Sequence, residues 1–423
     1  MQNRPLHLPS LFLAMFSGLG ILATIGGGLF MLLAGVFVQA WPRLLSNSAV
    51  SPETDFLFAS GLFFCAGLLV PPLVYSLRRL GEKPVLEAVV RPIRWWQAIV
   101  ILAAWAVVVF LGGWLQNKVE PSWAVTLFFY LPAVALPVIL LIWVALGGLP
   151  TGSRQRAWGT FGVGLLAGTG LAFIAELIIY LSLAVIGIVL LVLNPEWMNI
   201  LSNLQTQLSG ARDLESIITF LAPYLTNPLV ILLAFVVMAV LVPLIEELVK
   251  PVAVWLRARR ITTPAQGFAL GALSGAGFAL LEGLMAATNT SEDWSVLIIA
   301  RAGGSLMHIL ASGLMGWGIV SAWQEHRTLR LIGAYALSIS MHGFWNAMSV
   351  SIIYGGLRVY LAGSQPEVVG NLISSAGIVA LVCISVFGLV ALPLVNRKLR
   401  LLPPSPTQLL EKAVAFTPEN TEV

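Results

Sequence analysis

Charge is what this sequence has least of. Only 10% of its 423 residues are Asp, Glu, Lys or Arg, against 58% hydrophobic. Soluble domains carry about 25% charged residues, so the scarcity excludes a water-soluble domain and makes the bilayer the solvent for most of the chain. Cysteine is nearly absent as well. Cys65 and Cys383 both lie inside apolar runs, which excludes a disulfide framework and a Cys-rich metal site. The three aspartates, Asp55, Asp213 and Asp293, fall between the apolar runs, so an intramembrane Asp dyad is excluded. No HExxH zinc helix occurs, and no serine sits in a persuasive nucleophile motif. The net charge is +4, yet no basic cluster stands apart from the apolar runs, so nucleic acid is not a partner.

What is present is a series of ten apolar stretches long enough to cross a bilayer. They run over roughly 11–40, 56–77, 97–116, 124–147, 158–193, 228–249, 265–288, 295–323, 331–354 and 372–395. The expected fold is therefore an all-α polytopic bundle of about ten spans. The first stretch is too long for a signal-peptide core and reads as a retained span. The fifth fits one tilted helix or a broken pair. With the N-terminus cytoplasmic, 18 of the 23 Lys and Arg fall in cytoplasmic segments, four on the opposite side, and Arg301 within a span. This bias satisfies the positive-inside rule and predicts a multi-pass plasma-membrane protein with both termini cytoplasmic. The external stretch 194–227 carries Trp197, Ile200, Leu201, Leu204 and Leu208 at helical spacing, which predicts an interfacial helix.

Ionisable residues inside a membrane are costly and mark function. The first five spans hold one at depth, Glu176, whereas the next four hold Glu246, Glu247, Lys250, Glu282, Arg301, His308 and His342. The chain accordingly divides into 1–227, a scaffold or regulatory module; 228–355, a four-helix core carrying the chemistry; 356–400, a last span; and 401–423, a flexible cytoplasmic tail. Lys250 follows Glu246 by four residues and pairs with it on one helix face, leaving Glu247 to face the cavity. Gly267, Gly271, Gly275, Ala279 and Gly283 recur every four residues, a stripe that admits a neighbouring helix closely, and Glu282 borders it. His342 and Asn346 share a face. At 1.5 Å rise per residue, Glu246, Glu282, His308 and His342 lie about 16–25 Å into their helices, in one slab of the membrane. Carboxylates and neutral imidazoles in such a slab bind a divalent metal or move protons. These groups equally suit a proton- or ion-coupled transporter, or a non-catalytic membrane binding or immunity-type protein.

EExxK at 246–250, FxxxE at 278–282, an Arg seven residues before a membrane His (Arg301, His308) and HxxxN at 342–346 occur in that order. Together they resemble the PrsW family of intramembrane proteases, which is similar in turn to the CAAX prenyl-protease and bacteriocin-immunity group. The resemblance implies a membrane-embedded endopeptidase. Glu246 and Glu247 would be central to catalysis, with Lys250, His342 and Asn346 beside them. A divalent metal such as zinc, if one is used, would be held by Glu282, His308 and His342, near Arg301. The implied substrates are membrane proteins, anti-sigma-factor-like or otherwise single-span, met within the lipid bilayer.

Overall fold

The computed structural model describes residues 7–40, 52–116, 118, 122–194, 198–199, 201–203, 205–206, 214–288, 294–363 and 365–401. Among them every regular element is helical: α1 Leu8–Ala40, α2 Pro52–Leu80, α3 Trp95–Gln116, α4 Ser122–Leu146, α5 Arg154–Leu193, α6 Leu214–Leu225, α7 Pro228–Val249, α8 Pro264–Ala286, α9 Trp294–Gln324, α10 Thr328–Ala362 and α11 Val368–Arg400. Nine of these are long and apolar enough to cross a membrane. The remaining expected span, α10, is a 35-residue helix packed between α9 and α11. It is less apolar because Ser338, His342, Asn346 and Ser349 lie along its middle. Of the two forms open to the fifth span, the single helix is the one found. Arg154–Leu193 is continuous and carries one π turn at Gly164–Gly168. Asp55 lies in the first turn of α2 rather than between spans, where the helix dipole favours a carboxylate. The interfacial reading falls mostly outside the described residues: Trp197, Ile200, Leu204 and Leu208 are not among them, and Leu201 is helical.

The bundle is built around α8. Eighteen of its 23 residues are buried, because its small side chains let backbones approach on two faces. A Cβ at Gly267 or Gly271 would strike the carbonyl of Gly316 or Ser312 on α9, and one at Gly275 would lie 2.5 Å from the His308 carbonyl. On the other face, a Cβ at Gly277 would strike Phe161 of α5, and one at Gly164 would strike Ser274. The glycines therefore set α8 at backbone contact with both α9 and α5. Side chains fasten the leading helices to this centre. Tyr130 of α4 donates to the Leu284 carbonyl at 2.6 Å, and Asn396 of α11 donates to that of Ala145 at 2.8 Å. One hydrophobic cluster runs from Leu57 to Leu399, with Ile21 of α1 packed against it, so α2–α5 and α8–α11 share a core.

Candidate active site and metal centre

The site sits where helical regularity fails. Pro243 and Pro251 supply no backbone N–H, and the chain around them changes hydrogen-bonding pattern. Val236–Leu241 is a π turn in α7, and after Lys250 the chain resumes only as a one-turn helix, Val252–Trp255. Carbonyls released by these irregularities are taken up by neighbouring side chains. Asn346 donates to Met238 O at 2.8 Å, Ser274 to Lys250 O at 2.5 Å, and Trp255 to Leu248 O at 2.9 Å. Gly343 presses against the Ala239 carbonyl. The Ser274 contact draws α8, and the Asn346 and Gly343 contacts draw α10, against the segment that bears the paired glutamates. Pro251 thus explains why α7 does not run on to Arg257.

The four motifs converge. Lys250, fully buried, lies 2.7 Å from Glu246 Oε2, 2.7 Å from Glu247 Oε1 and 2.7 Å from His308 Nδ1. His342 Nδ1 lies 3.0 Å from Glu247 Oε1, and its Nε2 is 3.3 Å from Asn346 Nδ2 and 3.9 Å from Glu246 Oε2. Glu282 Oε2 is 2.8 Å from His308 Nε2 and 2.7 Å from Arg301 Nη2. The two imidazoles stand edge to face, 5.1 Å apart, with Phe278 packed 5.3 Å from His308. The common slab predicted by helix rise is therefore one cluster.

Donor chemistry assigns the tautomers. An ammonium has no lone pair to give, so His308 Nδ1 accepts from Lys250 and Nε2–H donates to Glu282. A carboxylate only accepts, so Nδ1–H of His342 donates to Glu247 and its Nε2 carries the lone pair. Each imidazole thus rests one nitrogen on a carboxylate; the other faces Glu246 in His342 and Lys250, itself against Glu246, in His308. One ligand atom each of Glu246, His308 and His342 lies within 4.8 Å of the others. Glu246 Oε2 is buried and touches Lys250 without accepting a well-directed hydrogen bond from any described residue. Two imidazoles and a carboxylate with spare acceptor capacity fit a catalytic metal, which takes three protein ligands and keeps a position open. Carboxylates behind the histidines complete the usual outer arrangement.

Two placements differ from those read in the sequence. Glu246, rather than Glu282, stands with the two histidines, because Glu282 turns to Arg301 and to the far nitrogen of His308. Glu247 is not left free, since Lys250 reaches both the i−3 and i−4 carboxylates and His342 approaches the same Glu247 Oε1. One residue was assigned to the scaffold and belongs here. Glu176 of α5 stands beside Glu246, near enough for the two carboxyls to interact, and one turn on Tyr180 OH lies 3.6 Å from Met238 Sδ in the π turn. The signal that could have found it was an ionisable residue at membrane depth in an otherwise apolar span.

No curated protein and no solved structure matches the chain. Residues 152–382, more than half of its length, match the PrsW family intramembrane metalloproteases. The match begins at α5, which carries Glu176, and takes in every helix of the cluster. With Glu246, His308 and His342 grouped as metal-capable donors inside that region, this multi-pass membrane protein belongs to the PrsW family of intramembrane metalloproteases, which are peptidases.

Proposed function

We propose that the chain hydrolyses peptide bonds of membrane-associated proteins, single-span substrates above all, with a divalent metal, zinc by its donor set, held by Glu246, His308 and His342. The observation that carries this reading is the pairing of each imidazole with a carboxylate through one ring nitrogen, His308 with Glu282 and His342 with Glu247. Such pairing fixes ring orientation and strengthens the ligand. When bound, the metal supplies an acidified water and polarises the scissile carbonyl. The protein's own residues do the rest. Glu247 and Glu282 hold the two rings, and Arg301 holds Glu282. Glu246 and Glu176 place carboxyls at the edge of the cluster to receive the proton of the attacking water. Asn346 Nδ2, fixed by Met238 O, stands beside His342 as a donor to an oxyanion. Lys250 shares Glu246 Oε2 and His308 Nδ1 with the metal and so competes for the same atoms.

The orientation belongs to the same proposal: a plasma-membrane protein with both termini cytoplasmic. It is supported by the loop charges and by the gathering of His7, Arg79, Arg156 and Arg257 around one cavity at a single end of the bundle. The direct test is cleavage of a panel of single-span membrane proteins by the purified chain. Glu246→Gln keeps volume and removes both ligation and proton acceptance. It is expected to lower cleavage by about 10²- to 10⁴-fold while the protein stays inserted. Near wild-type cleavage by Glu246→Gln would reject the assignment.

A further inference from the structure

A second polar cavity lies away from the metal-capable cluster. It has a volume of about 410 Å³ and is walled by Arg79, Arg156, Arg257 and Arg260, with His7 at its rim. These residues come from the start of α1, the end of α2, the first turn of α5 and the turn between α7 and α8. Glu87, exposed, is the one carboxylate among the described lining residues.

Four guanidinium groups around one hollow repel unless something negative joins them. Glu87 lines the cavity, but among the described residues no ion pair joins it to these arginines. The ion pairs of the described residues lie elsewhere: Glu282 with Arg301, Glu325 with Arg327 and Arg330, Glu367 with Arg358, and the glutamates around Lys250. Burial, and then the charges of Arg156 and Arg260, push Arg257 below its ordinary value. Arg156 is nonetheless given a defined place. Gly152, at φ +77°, leaves room for Arg156 to fold back: a Cβ there would lie 3.1 Å from Arg156 Nη1. Ser153 caps α5 by accepting from Arg156 N at 3.2 Å. A volume of this size is that of a ligand pocket, and guanidinium forks match the oxygens of phosphate.

We propose that this cavity binds a phosphate group, carried by an anionic phospholipid headgroup or by a soluble phosphoester. The cavity lies at one end of the bundle, the depth at which headgroups meet protein. Bound phosphate joins α1, α2 and α5 to the turn that starts seven residues after Lys250. It thereby couples the leading helices to the end of the helix that bears Glu246 and Glu247. The binding claim stands independently of the peptidase reading.

The test uses the purified full-length protein in phosphatidylcholine nanodiscs and reads its thermal unfolding. One arm adds phosphatidic acid to the nanodisc, and the other adds inorganic pyrophosphate to the buffer. Stabilisation in the first arm alone identifies a lipid headgroup; stabilisation in both identifies a phosphate site open to water. Arg156→Gln and Arg257→Gln are each expected to weaken the effect about tenfold in ligand concentration. Arg259→Gln removes the same charge from the same turn but does not line the cavity, and is expected to leave the effect intact. Should Arg257→Gln fail to fold, Arg260→Gln, whose side chain is exposed, reads the same loss. Absence of stabilisation in both arms overturns the proposal. So does an equal loss in Arg259→Gln, which would mean a diffuse surface field.

Discussion

Helices α1 and α8 both contain repeated glycines and use them differently. In α8, 18 of 23 residues are buried, and Gly267, Gly271, Gly275 and Gly277 each abut another helix's backbone. In α1 only eight of 33 are buried. Gly18 and Gly26 face nothing within 4 Å, and Gly20 and Gly28 meet only side chains such as Leu69 and Phe63. The more apolar helix is the more lipid-exposed one. In a bilayer, lipid tails are as apolar as leucine, so hydrophobicity does not drive a helix inward. Close packing and polar contacts do, and the helix richest in small residues becomes the centre. Functional groups cluster there because protein, unlike lipid, can satisfy them.

The same substitution in the two helices sharpens the contrast. Gly271→Ala places a methyl against the Ser312 carbonyl and the Gly316 backbone. It is expected to destabilise the protein by about 1–3 kcal/mol and to reduce cleavage, because α9 carries His308. Thermal unfolding in detergent, read beside activity, checks both. A neutral result would mean that the stripe does not set the α8–α9 distance.

Next in size is Glu282→Gln, which leaves His308 Nε2–H an acceptor but removes the charge and the Arg301 ion pair. Metal affinity is expected to fall about 10- to 100-fold, measured by competition with a chromogenic chelator. An unchanged affinity would detach Glu282 from the cluster's chemistry and leave it a packing residue bordering the stripe.

The smallest effect is expected at Gly26→Ala in α1, where open space receives the methyl. Helix propensity makes this change neutral to about 1 kcal/mol stabilising. A destabilisation as large as that of Gly271→Ala would break the distinction between the two helices.

Most of the fold was legible because each signal was local. Apolar run length identified the helices, and four-residue spacing picked out the face of α8 that meets α9. The depths of His308 and His342 followed from helix rise alone. Side-chain direction did not follow. Whether Glu246 or Glu282 stands with the histidines depends on Arg301 pulling Glu282 away, a contact between α8 and α9 that no spacing rule contains. The end of α7 was partly legible, since Pro251 announced a break but not Ser274 as the group that takes up the Lys250 carbonyl. Glu176 was visible as an ionisable residue at depth, but its nearness to Glu246 was not. The arginine cavity was hidden for the same reason: its arginines lie up to 181 residues apart in sequence (Arg79 to Arg260), and only the packing of α2 and α5 near the turn after α7 joins them.

The central claim is that Glu246, His308 and His342 hold a metal between α7, α9 and α10. The most direct measurement is the metal content of the purified protein by mass spectrometry, for wild type and for Glu246→Gln, His308→Ala and His342→Ala, each checked for folding by circular dichroism. The account predicts about one divalent ion per wild-type chain and its loss from all three variants, with Arg259→Gln retaining it. Wild-type protein that cleaves substrate at full rate after exhaustive chelation, with no metal detected, would contradict it.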